Sequence, residues 1–135
     1  MLQNDHPIPP GDARQYSPLT LAYLGDGVYE LLVRETLVLQ NNRPNGQLHR
    51  EALQFVSAKA QSDGLEAILP LLTEEEEAIF KRGRNSDATG HRNSDIIQYK
   101  RATGLETLFG YLYLIGQTDR LEELFTAIYR ALTNA

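Results

Sequence analysis

The sequence predicts an all-α fold, on three observations. Apolar residues recur at helical spacing, most cleanly in Leu121, Leu124, Phe125, Ile128 and Leu132. Residues that start helices stand directly before such stretches, as in Ser17-Pro18 and in Thr73 with Glu76 after it. No segment sustains the period-two alternation of a half-buried strand, and no hairpin dipeptide is flanked by β-branched residues.

The elements follow in order. Residues 1–15 hold three prolines and little apolar character, and predict a flexible N-terminal arm before one folded domain over 16–135. The first helix is expected from about Pro18 to Gln40, with Leu21, Leu24, Val28, Leu31 and Leu32 on one stripe, and stops at Asn41-Asn42-Arg43-Pro44. Asn45 can cap a second helix over about 46–62, with Leu48, Ala52, Phe55, Val56 and Ala60 inward. A shorter third helix reaches about Leu72, interrupted by Pro70. Thr73 and Glu76 then form a capping box. The glutamates at 74–77 sit at that helix's N-terminus and Lys81 and Arg82 at its other end, where the macrodipole favours each sign, so the acidic run needs no functional explanation. Arg84 to Asn93 is polar and aperiodic, hence a loop. Asn93 or Ser94 caps the next helix, with a bend point at Thr103-Gly104; it continues through Leu105, Leu108, Phe109, Leu112 and Ile115 to Gly116-Gln117. Thr118 caps the last helix.

Composition narrows the chemistry. The 135 residues include no cysteine, which excludes disulfides, thiolate catalysis and zinc-cysteine sites. No apolar run approaches the roughly 18 residues of a membrane span, and the N-terminus does not read as a signal peptide, so the expected setting is cytoplasmic with no membrane partner. A net charge of −5 argues against a nucleic-acid binder. Its distribution softens that argument: between Lys81 and Arg101 six cations face two acids, enough for a phosphate-binding stripe.

The densest information lies in Leu21-Ala22-Tyr23-Leu24-Gly25-Asp26-Gly27-Val28-Tyr29-Glu30. Two glycines in mid-helix each cost about 1 kcal/mol relative to alanine. Between them stands a carboxylate among apolar neighbours, which is expensive without a partner. Close backbone packing at the glycines and a metal ion at Asp26 are the two simple compensations. The residues alone leave Asp26 open between a metal ligand and an acceptor of hydrogen bonds from a neighbouring helix.

This decapeptide resembles the signature helix of the ribonuclease III family, built on Leu-Gly-Asp and a small residue. The match is closer to the short Mini-ribonuclease III branch, which carries only the nuclease domain. Val56-Ser57-Ala58-Lys59-Ala60-Gln61, Phe80-Lys81-Arg82-Gly83-Arg84-Asn85 and Tyr99 through Leu114 agree in order and spacing, so the resemblance covers about residues 16–132.

The resemblance implies a helical ribonuclease III-like endonuclease domain, a homodimer, and a metal-dependent endoribonuclease that cleaves double-stranded RNA to give 5′-phosphate ends. It implies that Asp26 and Glu106, eighty residues apart, meet at one site and hold Mg²⁺ or Mn²⁺. It points to maturation of 23S (large-subunit) ribosomal RNA, with a ribosomal protein as an assisting partner. Lys59, Arg82, Arg84 and Asn85, together with His91 and Arg92 of the loop, are the RNA-binding candidates; Lys59 reads equally as a surface lysine. Larger members resemble this pattern with further acids where this chain has Ala22 and Thr103, which leaves fewer carboxylates for the metal. Thr103 and Glu30 are candidates for acting on the pair through a water or a neighbour, and Glu30 equally suits a salt bridge. The missing acids and the negative charge also motivate a second reading: a non-catalytic RNA-binding or ribosome-assembly factor on the same scaffold. Phe109, Tyr111 and Tyr113, at helical spacing in an apolar segment, read as core or interface rather than as a base-stacking platform. Gly27 and Gly110 suggest close helix contacts, and His6 and His49 show no ligand spacing.

Overall fold

The computed structural model describes residues 2–86 and 95–134 and has no strand among them. Its helices are α1 (Pro10–Ala13), α2 (Pro18–Gln40), α3 (Asn45–Val56), α4 (Ala58–Ile68), α5 (Glu74–Arg84), α6 (Ile96–Leu114) and α7 (Thr118–Thr133), with a 3-10 turn at Leu69–Leu71. None is long and apolar enough to cross a membrane. The expected caps at Ser17 and Thr73 are formed, whereas Asn45 and Thr118 are the first residues inside α3 and α7, whose N-caps are Pro44 and Gln117, without a side-chain cap bond. Ser17 accepts from the Thr20 amide. Thr73 and Glu76 exchange both bonds of the capping box, at 2.9 and 3.1 Å. Glu76 is then buried against Arg120 of α7, whose guanidinium donates to both its carboxylate oxygens at 2.9 Å.

α2 and α6 form the central crossing, and glycine sets its closeness. A Cβ on Gly25 would lie 1.7 Å from the Glu106 carbonyl oxygen, and one on Gly110 would lie 2.0 Å from that of Leu21. Only hydrogen fits at either point. Gly27 has nothing within 4 Å of its Cβ position, so Gly25, not Gly27, is the contact glycine of α2, and Gly110 makes its contact inside the chain. Around the crossing lie Tyr29, Phe109 and Phe125, with ring centroids 5.7 and 5.8 Å from Tyr29. Phe109 and Tyr111 are fully buried, as a core role requires.

Two elements differ from expectation. The second helix is broken at Ser57, whose backbone is extended and whose hydroxyl accepts from the Ala60 amide at 3.1 Å. Serine competes well for such an amide, and here the local cap wins over helix propagation. α6, in contrast, runs unbroken through Thr103-Gly104, where the missing Cβ leaves room for the Phe80 ring. The expected caps at Asn93 and Ser94 lie outside the described residues.

The expected flexible arm lies along the end of the bundle. The Ile8 amide donates to the Leu114 carbonyl and the Asn4 side chain to that of Tyr113, both at 2.8 Å. These are carbonyls that a helix leaves unsatisfied at its C-terminus. Ala13 is fully buried, and Arg82 donates to the carbonyls of Arg14 and Tyr16 at 3.3 and 3.2 Å.

Candidate active site

Asp26 projects from α2 into solvent, and half-buried Glu106 faces it from α6. The Gly25 contact explains their meeting. It seats α2 on the backbone of Glu106 itself, so the residue after Gly25 stands beside the Glu106 side chain. The two carboxyl groups come within hydrogen-bonding reach of one another. Burial, the negative charge and hydrogen bond of Asp26, and the charge of Glu30 together push the Glu106 carboxyl up to about 8, against an opposing hydrogen bond from Gln61. Gln61 donates from Nε2 to Glu106 Oε2 at 3.3 Å. Behind the pair, the Tyr29 hydroxyl donates to the Phe55 carbonyl at 2.7 Å; burial and nearby Glu106 hold it protonated well above the ordinary tyrosine range.

Glu30 lies one turn after Asp26 and pairs with Arg34 at 3.0 Å within α2. Thr103 is buried and its hydroxyl donates to the Tyr99 carbonyl of its own helix at 3.0 Å. Among the described residues no group of three or more histidines and carboxylates gathers at one point, so the site is a carboxyl pair with one further charge a turn away.

The cations are more dispersed. Lys59 is exposed and bridged to Asp63 at 2.8 Å. Arg82 is occupied by the two carbonyls of the N-terminal segment. Arg84 donates from Nε to the side chain of exposed Asn85 at 3.1 Å, with its guanidinium 5.6 Å from the Phe80 ring centroid. His91 and Arg92 lie outside the described residues. Arg101 is tied to α4, donating to the Ser62 hydroxyl at 2.8 Å and pairing with Glu66 at 2.6 Å.

A buried crossing that presents two acids from different helices is the geometry to compare with known proteins. The ribonuclease III domain model matches residues 19–117, which contain both acids and the whole α2–α6 crossing. The chain belongs to the ribonuclease III domain family. It is an endoribonuclease of that family. Curated relatives named Mini-ribonuclease 3 include one from Enterococcus faecalis, 50% identical over 84% of this chain and 88% of its own. Another, from Synechococcus, is 45% identical over 91% of this chain and 88% of its own. A crystal structure of a Fusobacterium nucleatum protein is 34% identical with a TM-score of 0.78, covering 88% of this chain and 96% of that one. Family membership favours the catalytic reading of the scaffold over the non-catalytic one.

Gln61 is the site neighbour to which sequence reasoning gave no role. Gln61 stood inside a matched segment, but a glutamine on a helix face carries no signal of what it will touch.

Proposed function

We propose that this ribonuclease III domain cleaves double-stranded RNA with Mg²⁺, or Mn²⁺, held by Asp26 and Glu106. The observation that carries the reading is the carboxyl pair itself, two acids from separate helices brought within hydrogen-bonding reach. Hard oxygen donors of this kind suit a divalent cation, and two carboxylates leave most of its coordination to water and phosphate. When bound, Mg²⁺ supplies positive charge against the scissile phosphate and a more acidic attacking water. Asp26, exposed, is placed to meet the substrate side; Glu106, half-buried, holds the second ligand oxygen against the core. Arg84, Asn85 and Lys59, with His91 and Arg92, are the proposed phosphate contacts, and A-form RNA is read through its backbone and minor groove.

The same reading includes a homodimer. Leu19, Tyr23, Gly27 and Leu31 lie four residues apart on one face of α2, the three side chains are exposed, and Gly27 is open to close approach. A second copy on this face would set two sites about a two-fold axis, one per strand of the duplex. From the family resemblance we carry the further proposal that the substrate is a precursor of 23S ribosomal RNA in the cytoplasm, assisted by a ribosomal protein.

The test is cleavage of a long RNA duplex by the full chain with and without Mg²⁺. Cutting only with metal, leaving 5′-phosphate ends, is the expected result; binding without cutting at any Mg²⁺ concentration would refute the proposal.

The raised Glu106 carboxyl gives this reading a pH signature. Cation binding must displace its proton, so the apparent Mg²⁺ affinity should rise with pH, by at most about tenfold per unit, and level off above about 8. Folding stability runs the other way. A carboxyl raised above its unfolded value stabilises the fold at low pH, and that contribution is lost as pH rises through about 8. Metal-free protein should therefore lose melting temperature across this window, and Mg²⁺ should restore it. Calorimetric titrations showing one affinity throughout would contradict the assignment.

A further inference from the structure

We propose that Gln61 is a positioning residue for Glu106: its side-chain amide fixes the carboxylate in the orientation from which, with Asp26, it holds the cation. This rests on the reading of the Asp26–Glu106 pair as the cation site.

Gln61 is 2% exposed, in the first turn of α4. Its Nε2 donates to the Val56 carbonyl at 3.1 Å and to Glu106 Oε2 at 3.3 Å. The Val56 carbonyl can only accept, so the amide nitrogen must face it; turned over, the amide would set oxygen against oxygen. Oε1 is left buried with no hydrogen-bond partner among the described residues. An unmade bond of this kind is unfavourable, and it marks an amide whose orientation is set by its other end.

The break at Ser57 makes this arrangement possible. In an unbroken helix the Ala60 amide would bond the Val56 carbonyl. Here Ser57 takes the Ala60 amide instead, leaving the Val56 carbonyl to Gln61. The Ser57 cap and the Gln61 contact are thus one device, which anchors the amide to the end of α3 and aims it at α6. A donor aimed at a carboxylate also favours its charged form, which is the form that binds a cation.

The test replaces Gln61 with methionine, similar in length but without a donor, in the full chain. Mg²⁺ binding without RNA is measured by calorimetry beside wild type, Asp26→Asn and Glu106→Gln, with circular dichroism to establish folding. Gln61→Met should raise the Mg²⁺ dissociation constant about tenfold, the effect of losing an outer partner of a metal ligand. The Mg²⁺ concentration for half-maximal cleavage should rise in step, and kcat at saturating Mg²⁺ should fall less. A folded Gln61→Met with wild-type Mg²⁺ affinity, beside Asp26→Asn and Glu106→Gln that lose it, overturns the role of Gln61 alone. Wild-type affinity in all three variants overturns the cation site and this proposal with it. If Gln61→Met does not fold, the side-chain amide resonances of Gln61 in wild-type protein decide: they should move on Mg²⁺ titration, and stationary resonances at saturation overturn the proposal.

Discussion

Replacing Asp26 with asparagine should lower duplex cleavage by about 10³-fold or more while leaving the domain folded. The side chain is exposed and supports no packing, so the loss falls on chemistry. It removes half of the carboxyl pair, and a cation held against a phosphate is worth several kcal/mol in the transition state, at about 1.4 kcal/mol per factor of ten. Stability should respond in the opposite direction. The charge of Asp26 is one of the causes that raise the Glu106 carboxyl, and a neutral amide lessens the cost of taking up the Glu106 proton on folding at neutral pH. Asp26→Asn should therefore melt at or a few degrees above wild type, and Glu106 should titrate lower. RNA binding, which we assign to cations elsewhere, should change little. Turnover within tenfold of wild type would remove Asp26 from the metal site.

The parts of this structure that were legible in the sequence are those decided locally. The Ser17 cap, the Thr73–Glu76 box and the apolar stripe of α7 each depend on residues within a turn or two of one another, and each is formed. The break at Ser57 was local too, yet it is a contest between a cap and a propagating helix that composition does not decide. The meeting of Asp26 and Glu106 is not a local property at all. Periodicity places each acid on a helix, but nothing within either helix specifies its partner, and the pairing came through family resemblance alone. The N-terminal segment escaped for a related reason. Its hold on α6 runs through backbone amides and carbonyls, which every residue possesses and no sequence pattern advertises. Arg82 adds a contact that charge alone does not foretell: a cation with a clear electrostatic reading also donates to the carbonyls of Arg14 and Tyr16. Gly25 and Gly27 were indistinguishable until the crossing geometry separated them.

That separation yields a prediction of opposite signs at positions two residues apart. Gly25→Ala should destabilise the domain by about 3 kcal/mol or more, a large share of a typical stability of about 5–15 kcal/mol. The added carbon would meet backbone at the Glu106 carbonyl and, 2.8 Å away, the Gly110 amide; no flexible side chain can yield, so the helices themselves must part. Gly27→Ala meets nothing within 4 Å and should stabilise the isolated chain by up to about 1 kcal/mol, the ordinary helix gain. Urea unfolding of the two variants beside wild type measures both shifts. Activity adds a second readout, because the obstructed carbonyl belongs to Glu106. Any Gly25→Ala protein that remains folded must hold Glu106 farther from Asp26, and so should bind Mg²⁺ more weakly than its residual stability alone would imply. Equal destabilisation at both glycines would mean that helix propensity, not the crossing, governs this segment. A Gly25→Ala protein with wild-type stability and Mg²⁺ affinity would mean that the α2–α6 contact does not set the distance between the two acids.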